Sequence, residues 1–154
     1  METSGSPRSN ADRDRYYVQK DKHHVFQKWG KDEVTSAFPS LKDAFVFAVS
    51  VGWANRRRVK FEGGRQHVGF WKAFDSQNDI PLIQAIGIAE TGDPSIVADT
   101  GRLLGIAEEY ANGGIDILET YQRADRDGTI HSIAALIVES ANASGKHGQT
   151  AGRP

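Results

Sequence analysis

The stretch from Phe38 to Trp53 reads FPSLKDAFVFAVSVGW, and it carries the pattern of a buried helix with both ends marked. Ser40 can cap the start, and Asp43, three positions on, places a carboxylate where the helix dipole favours one. Gly52 can take the left-handed conformation that ends a helix. Leu41, Phe45, Ala48 and Val49 share one face, and Phe47 and Val51 add apolar surface beyond it, so the helix is enclosed on most sides. It is therefore expected to form the centre of the core.

Helical spacing continues toward the C-terminus. Asp79 and Pro81 open a segment in which Leu82, Ile83, Ile86 and Ala89 share a face, and Thr91-Gly92 closes it. Asp93-Pro94 opens another, with Ile96 and Val97 as its apolar pair. Leu104, Ala107, Ala111, Ile115 and Leu118 then keep a helical period through Gly113-Gly114. Either one long helix makes a tight contact at those glycines or two helices meet there. TIHSIAALIVESAN repeats the period with Ile130, Ile133, Ala134, Ile137 and Ala141. Toward the N-terminus, YYVQKDKHHVFQKW suits a brief strand and a helical turn. RRRVKFEGGRQHVGFWKAF alternates around Gly63-Gly64. The expected fold is mainly α: a compact single-domain bundle of four or five helices with a small hairpin or irregular loop near 56–72. Residues 1–15 and 144–154 are too polar to bury anything and are expected to be disordered tails flanking a globular domain over 16–143.

A chain of 154 residues, 38% hydrophobic and 25% charged, suits one soluble domain. It contains no cysteine, which excludes disulfides, thiolate zinc sites and cysteine nucleophiles. The opening METSGSPRSNADRDR lacks the apolar core of a secretory signal, and no apolar run approaches the length of a membrane span. A cytoplasmic location without membrane contact is expected. The net charge of -1 hides a division. Between Gly52 and Phe74, six basic residues face Glu62 alone, and between Asp75 and Asp127, eleven acidic residues face three arginines. Such a molecule suits an anionic partner at one end or association of unlike ends.

The basic end supplies the candidate site. Arg56, Arg57, Arg58, Lys60, Arg65 and Lys72, with Phe70 and Trp71 nearby, have the composition of a surface that contacts a DNA or RNA backbone. Three consecutive arginines cannot share one helix face, and nothing here specifies base readout. A solvated loop or a surface for an acidic protein fits the same residues. His23 and His24 adjoin and diverge, His67, His131 and His147 lie far apart in sequence, and no HExxH spacing occurs, so no metal is expected. Glu108-Glu109 and Asp125/Asp127 fall where an exposed helix face and its end would put charges. Phosphate-loop and serine-elbow motifs are absent. Gly113-Gly114 has acidic neighbours that would repel an anion, so close packing or helix termination explains it better than a phosphate cradle. No catalytic residue and no cofactor is indicated.

Taken in order, V..QKDKHHVFQKW, FPSLKDAFVFAVSVGW, RRVKF, AETGD and EEYANGGIDIL resemble the small proteins called dnd system-associated protein four, also described as DNA phosphorothioation-associated. The likeness spans about Val18 to Leu118. It implies an accessory member of bacterial systems in which DNA backbone sulfur marks self and a restriction complex attacks unmarked phage DNA. The expected function is that of a non-catalytic accessory or adaptor protein contacting a larger protein of a defence complex and double-stranded DNA. The alternative is a free-standing DNA-binding regulator of a defence operon. A metal-dependent nuclease using His67 or Asp75 is a third reading. Association with a second copy is left open.

Overall fold

The computed structural model describes residues 13–30, 38–124, 136–139 and 142. Strand β1 (Arg15–Gln19) leads through a short 3-10 turn into α1 (His23–Gly30), followed by α2 (Leu41–Ala54), β2 (Arg65–Phe70), α3 (Asp79–Thr91), a 3-10 turn over Pro94–Ala98, and α4 (Thr100–Ala124). The expected mainly α bundle is what forms. The region expected to hold a hairpin or loop supplies an extended loop and β2, and β2 pairs antiparallel with β1 from the start of the domain. Arg15 thus belongs to the sheet, while residues 1–12 and 143–154 of the polar ends lie outside the described residues.

The two capping residues act as expected: the Ser40 hydroxyl accepts from the Asp43 N–H at 3.2 Å and donates to Asp43 Oδ2 at 2.6 Å. Ala44, Phe45, Ala48, Val49, Val51 and Gly52 of α2 are buried. Tyr16 of β1 and Phe74 close around Phe45, with ring centroids 4.7 Å apart for Tyr16–Phe45 and 4.8 Å for Tyr16–Phe74. Burying a side chain such as Phe45 contributes about 3 kcal/mol.

Gly52 does not end the helix. The helix runs on to Ala54, and Arg56 takes the left-handed conformation, at φ 51°. The Arg56 N–H donates to the Trp53 carbonyl at 3.0 Å and the Arg57 N–H to the Gly52 carbonyl at 2.8 Å, which together form a Schellman cap. Gly52 instead permits contact with α4: a Cβ there would stand 2.0 Å from the Tyr110 carbonyl oxygen. One at Gly114 would stand 1.9 Å from the Ala48 oxygen. A single helix passes through Gly113-Gly114, and Gly52 and Gly114 let α2 lie directly against it.

Two further expectations change. Ile96 is buried, but Val97 is exposed because the 3-10 turn has room for only one inward side chain. Ile130, Ile133, Ala134 and Ala141 lie outside the described residues. Within 136–139, Leu136 is the buried residue and Ile137 is exposed, so the inward face lies one position from the expected stripe.

Candidate functional site

Loop 57–62 carries Arg57, Arg58 and Lys60 over α4, and contacts from α4 and from Gln19 hold it there. The Val59 N–H donates to the Glu109 carbonyl at 3.0 Å. Asn112 Nδ2, buried within α4, donates to Gln19 Oε1 at 3.0 Å and to the Val59 carbonyl at 3.2 Å. Gln19 Oε1 also accepts from the Glu62 N–H at 2.9 Å. Gly113 completes the seat, since a Cβ there would stand 2.0 Å from the Arg57 carbonyl oxygen. The run Asn112-Gly113-Gly114 is thus a docking plate, with Gly114 facing α2 and the other two facing the loop.

The arginine triplet divides. Arg58 Nη1 donates to Glu90 of α3 at 2.7 Å, and its Nε donates to Glu109 of α4 at 2.5 Å. Arg57 Nη2 stands 3.4 Å from Asp116, which also receives Lys22 at 2.8 Å. Arg56 is exposed and has no ion pair among the described residues. Much of the opposition between basic and acidic segments is therefore settled within the chain, because α4 lies under the loop. Glu90 also accepts from the Tyr110 hydroxyl at 2.5 Å. That bond, then Arg58, holds the Glu90 carboxyl below its usual value. Burial first, then Glu90, pushes the Tyr110 hydroxyl up to about 12.

Arg58, Lys60 and Arg65 line one cleft of about 520 Å³ together with Arg13, Phe61, Glu90, Arg102, Gly105, Glu108 and Glu109. Arg56, Arg57 and Lys72 do not line it. Lys60, Arg65 and Arg102 are exposed and have no ion pair among the described residues. The Arg65 guanidinium lies over the Phe61 ring, 5.6 Å from its centroid. Lys72 sits apart at the far end of β2, where it and Arg15 approach the Phe70 ring at 5.7 and 5.5 Å.

Glu108 departs from expectation. It is 3% exposed and points toward β1, where it pairs with Arg13 and accepts from the Tyr17 N–H at 2.9 Å. Burial pushes its carboxyl up against the pull of Arg13. Sequence reasoning missed Arg13 and Arg102 as cleft residues. Arg102 is one of three arginines in an acidic segment and stands apart from Arg123 and Arg126, which is the available signal.

His67 and Asp75 have structural roles. His67 Nε2 lies 3.1 Å from the Gly69 carbonyl, and its ring packs against Tyr17 and Phe70. Asp75 Oδ1 accepts from the N–H groups of Gln77 and Asn78 at 2.9 and 2.8 Å. No group of three or more metal-ligating side chains occurs among the described residues, and no helix among them is long and apolar enough to cross a membrane.

The pattern that defines the DNA sulphur modification system-associated protein 4 family matches residues 15–151. The chain belongs to this family. The match extends the likeness read from Val18 to Leu118 at both ends and covers β1, the loop, α4 and every cleft residue named above except Arg13. The family's description gives an association with DNA sulphur modification systems and names no reaction. No curated protein and no solved structure matches the chain.

Proposed function

We propose that this member of the DNA sulphur modification system-associated protein 4 family is a non-catalytic accessory protein that contacts a larger protein of its system and the DNA backbone. One observation carries the DNA contact: Arg56, Lys60, Arg65, Lys72 and Arg102 are exposed and without ion pairs among the described residues. Arg57 and Arg58 are already engaged by carboxylates of α3 and α4. Cations not engaged within the fold are the ones that can replace counterions along a phosphate backbone. Arg58, joined to both α3 and α4, acts by holding the loop that presents Lys60. The seat of that loop on Asn112 and Gly113 fixes Lys60 relative to Arg102 on the same helix α4.

Co-expression of the tagged protein with the other proteins of a DNA sulphur modification system tests the accessory role. A stoichiometric complex that survives nuclease treatment is expected. Absence of any complex, together with tight promoter-selective DNA binding, would favour the regulator instead.

A further inference from the structure

The cleft has features that contact with the outside of a duplex does not use. We infer that it holds one nucleotide unit carrying a terminal phosphate, an inference that rests on the DNA-contact reading and names the unit the same cations take. A cleft of about 520 Å³ lies within the roughly 300–1,000 Å³ range of small-molecule sites.

Charge decides what can enter. Each carboxylate of the wall has a cationic partner: Glu108 has Arg13, and Glu90 and Glu109 share Arg58. Lys60, Arg65 and Arg102 are left without ion pairs among the described residues. A terminal phosphate, which carries about −1.5 to −2 at neutral pH, complements them better than a singly charged internal linkage. The Arg65 guanidinium layered over Phe61 offers a flat cationic surface to a base.

Gly105 supplies an independent observation. It lies inside α4 and lines the cleft, and a Cβ there would meet nothing within 4 Å. Close packing accounts for Gly52, Gly113 and Gly114, but it does not account for Gly105. Glycine inside a helix is destabilising relative to alanine, so its presence on this wall fits a position where a ligand approaches the backbone.

The unit can come from a free nucleotide or from the 5′ end of a DNA strand. Fluorescence anisotropy with a 3′-labelled single-stranded hexanucleotide, with and without a 5′-phosphate, separates the two when dAMP is used as competitor. A preference of at least tenfold for the phosphorylated strand over both the unphosphorylated strand and dAMP identifies a strand end, and tighter binding of dAMP than of either strand identifies the free nucleotide. Either outcome should weaken at least tenfold in Arg102→Ala and Gly105→Leu and stay within twofold in Arg57→Ala. Lys60→Gln serves if Gly105→Leu lowers the melting temperature. Equal binding of both strands without dAMP displacement overturns the inference, as does unchanged affinity in Arg102→Ala and Lys60→Gln. Covalently closed plasmid, which has no strand ends, tests backbone contact separately. Retained plasmid binding with no end or nucleotide preference would sink the cleft inference alone, and the reverse pattern would sink backbone contact alone.

Discussion

Arg58 joins Glu90 of α3 to Glu109 of α4, at 2.7 and 2.5 Å, from the loop that follows α2. The central arginine cluster of the sequence is therefore partly a clasp. Because the three side chains remain in contact with solvent, screening limits its contribution, and Arg58→Ala is expected to cost about 1 kcal/mol in urea unfolding. The same variant should raise the Glu90 titration toward the ordinary glutamate value of 4.5, readable by NMR. In the native protein the folded Glu90 value is depressed. Its contribution is thus present above the ordinary range and lost as pH falls through the lowered value. Stability should drop less steeply with acid in Arg58→Ala than in the parent.

Glycines of α2 and α4 should respond in opposite directions. Gly52→Ala or Gly114→Ala would force a Cβ against the backbone of the facing helix and is expected to cost about 3 kcal/mol through overpacking. Gly105→Ala meets open space and should stabilise by about 0.5–1 kcal/mol. Thermal denaturation of the three variants distinguishes a packing glycine from one that packing does not require.

Arg56 occupies the left-handed position of the Schellman cap, where glycine is favoured. Arg56→Gly is expected to stabilise the fold by about 1 kcal/mol while weakening binding to DNA. A stability gain without any change in DNA affinity would remove Arg56 from the interface.

Asn112 joins β1, the loop and α4 through one buried amide. Asn112→Ala should cost about 1–3 kcal/mol, since Gln19 and the loop carbonyls lose their donor. Hydrogen exchange should show loop 57–62 opening more readily than α2.

Elements whose causes are local were legible. Ser40 with Asp43 at the start of α2, and Gly92 at the end of α3, combine residue type with immediate neighbours, and both act as the sequence indicates. The role of Gly52 was not legible, because whether a glycine ends a helix or lets another approach depends on a surface far along the chain. Nor was the burial of Glu108, whose partner Arg13 lies 95 residues away. Of the six basic candidates, Arg57, Arg58 and Lys60 lie on the loop over α4, and which of the six stay unpaired depends on α4 lying beneath it.

Cations left unpaired by the fold carry the proposed DNA contact, and a salt series of duplex binding by fluorescence anisotropy tests it most directly. Plain and phosphorothioated duplexes are measured with the parent, with Arg57→Ala, and with the combined Lys60→Ala, Arg65→Ala and Arg102→Ala variant. The parent should bind both duplexes with a log–log salt slope of about −4 to −5, as expected for five phosphate contacts. The combined variant should flatten the slope to about −2, the share of Arg56 and Lys72, while Arg57→Ala keeps the parent slope. Absence of salt-dependent binding in the parent, or an unchanged slope in the combined variant, would show that these cations do not form the contact.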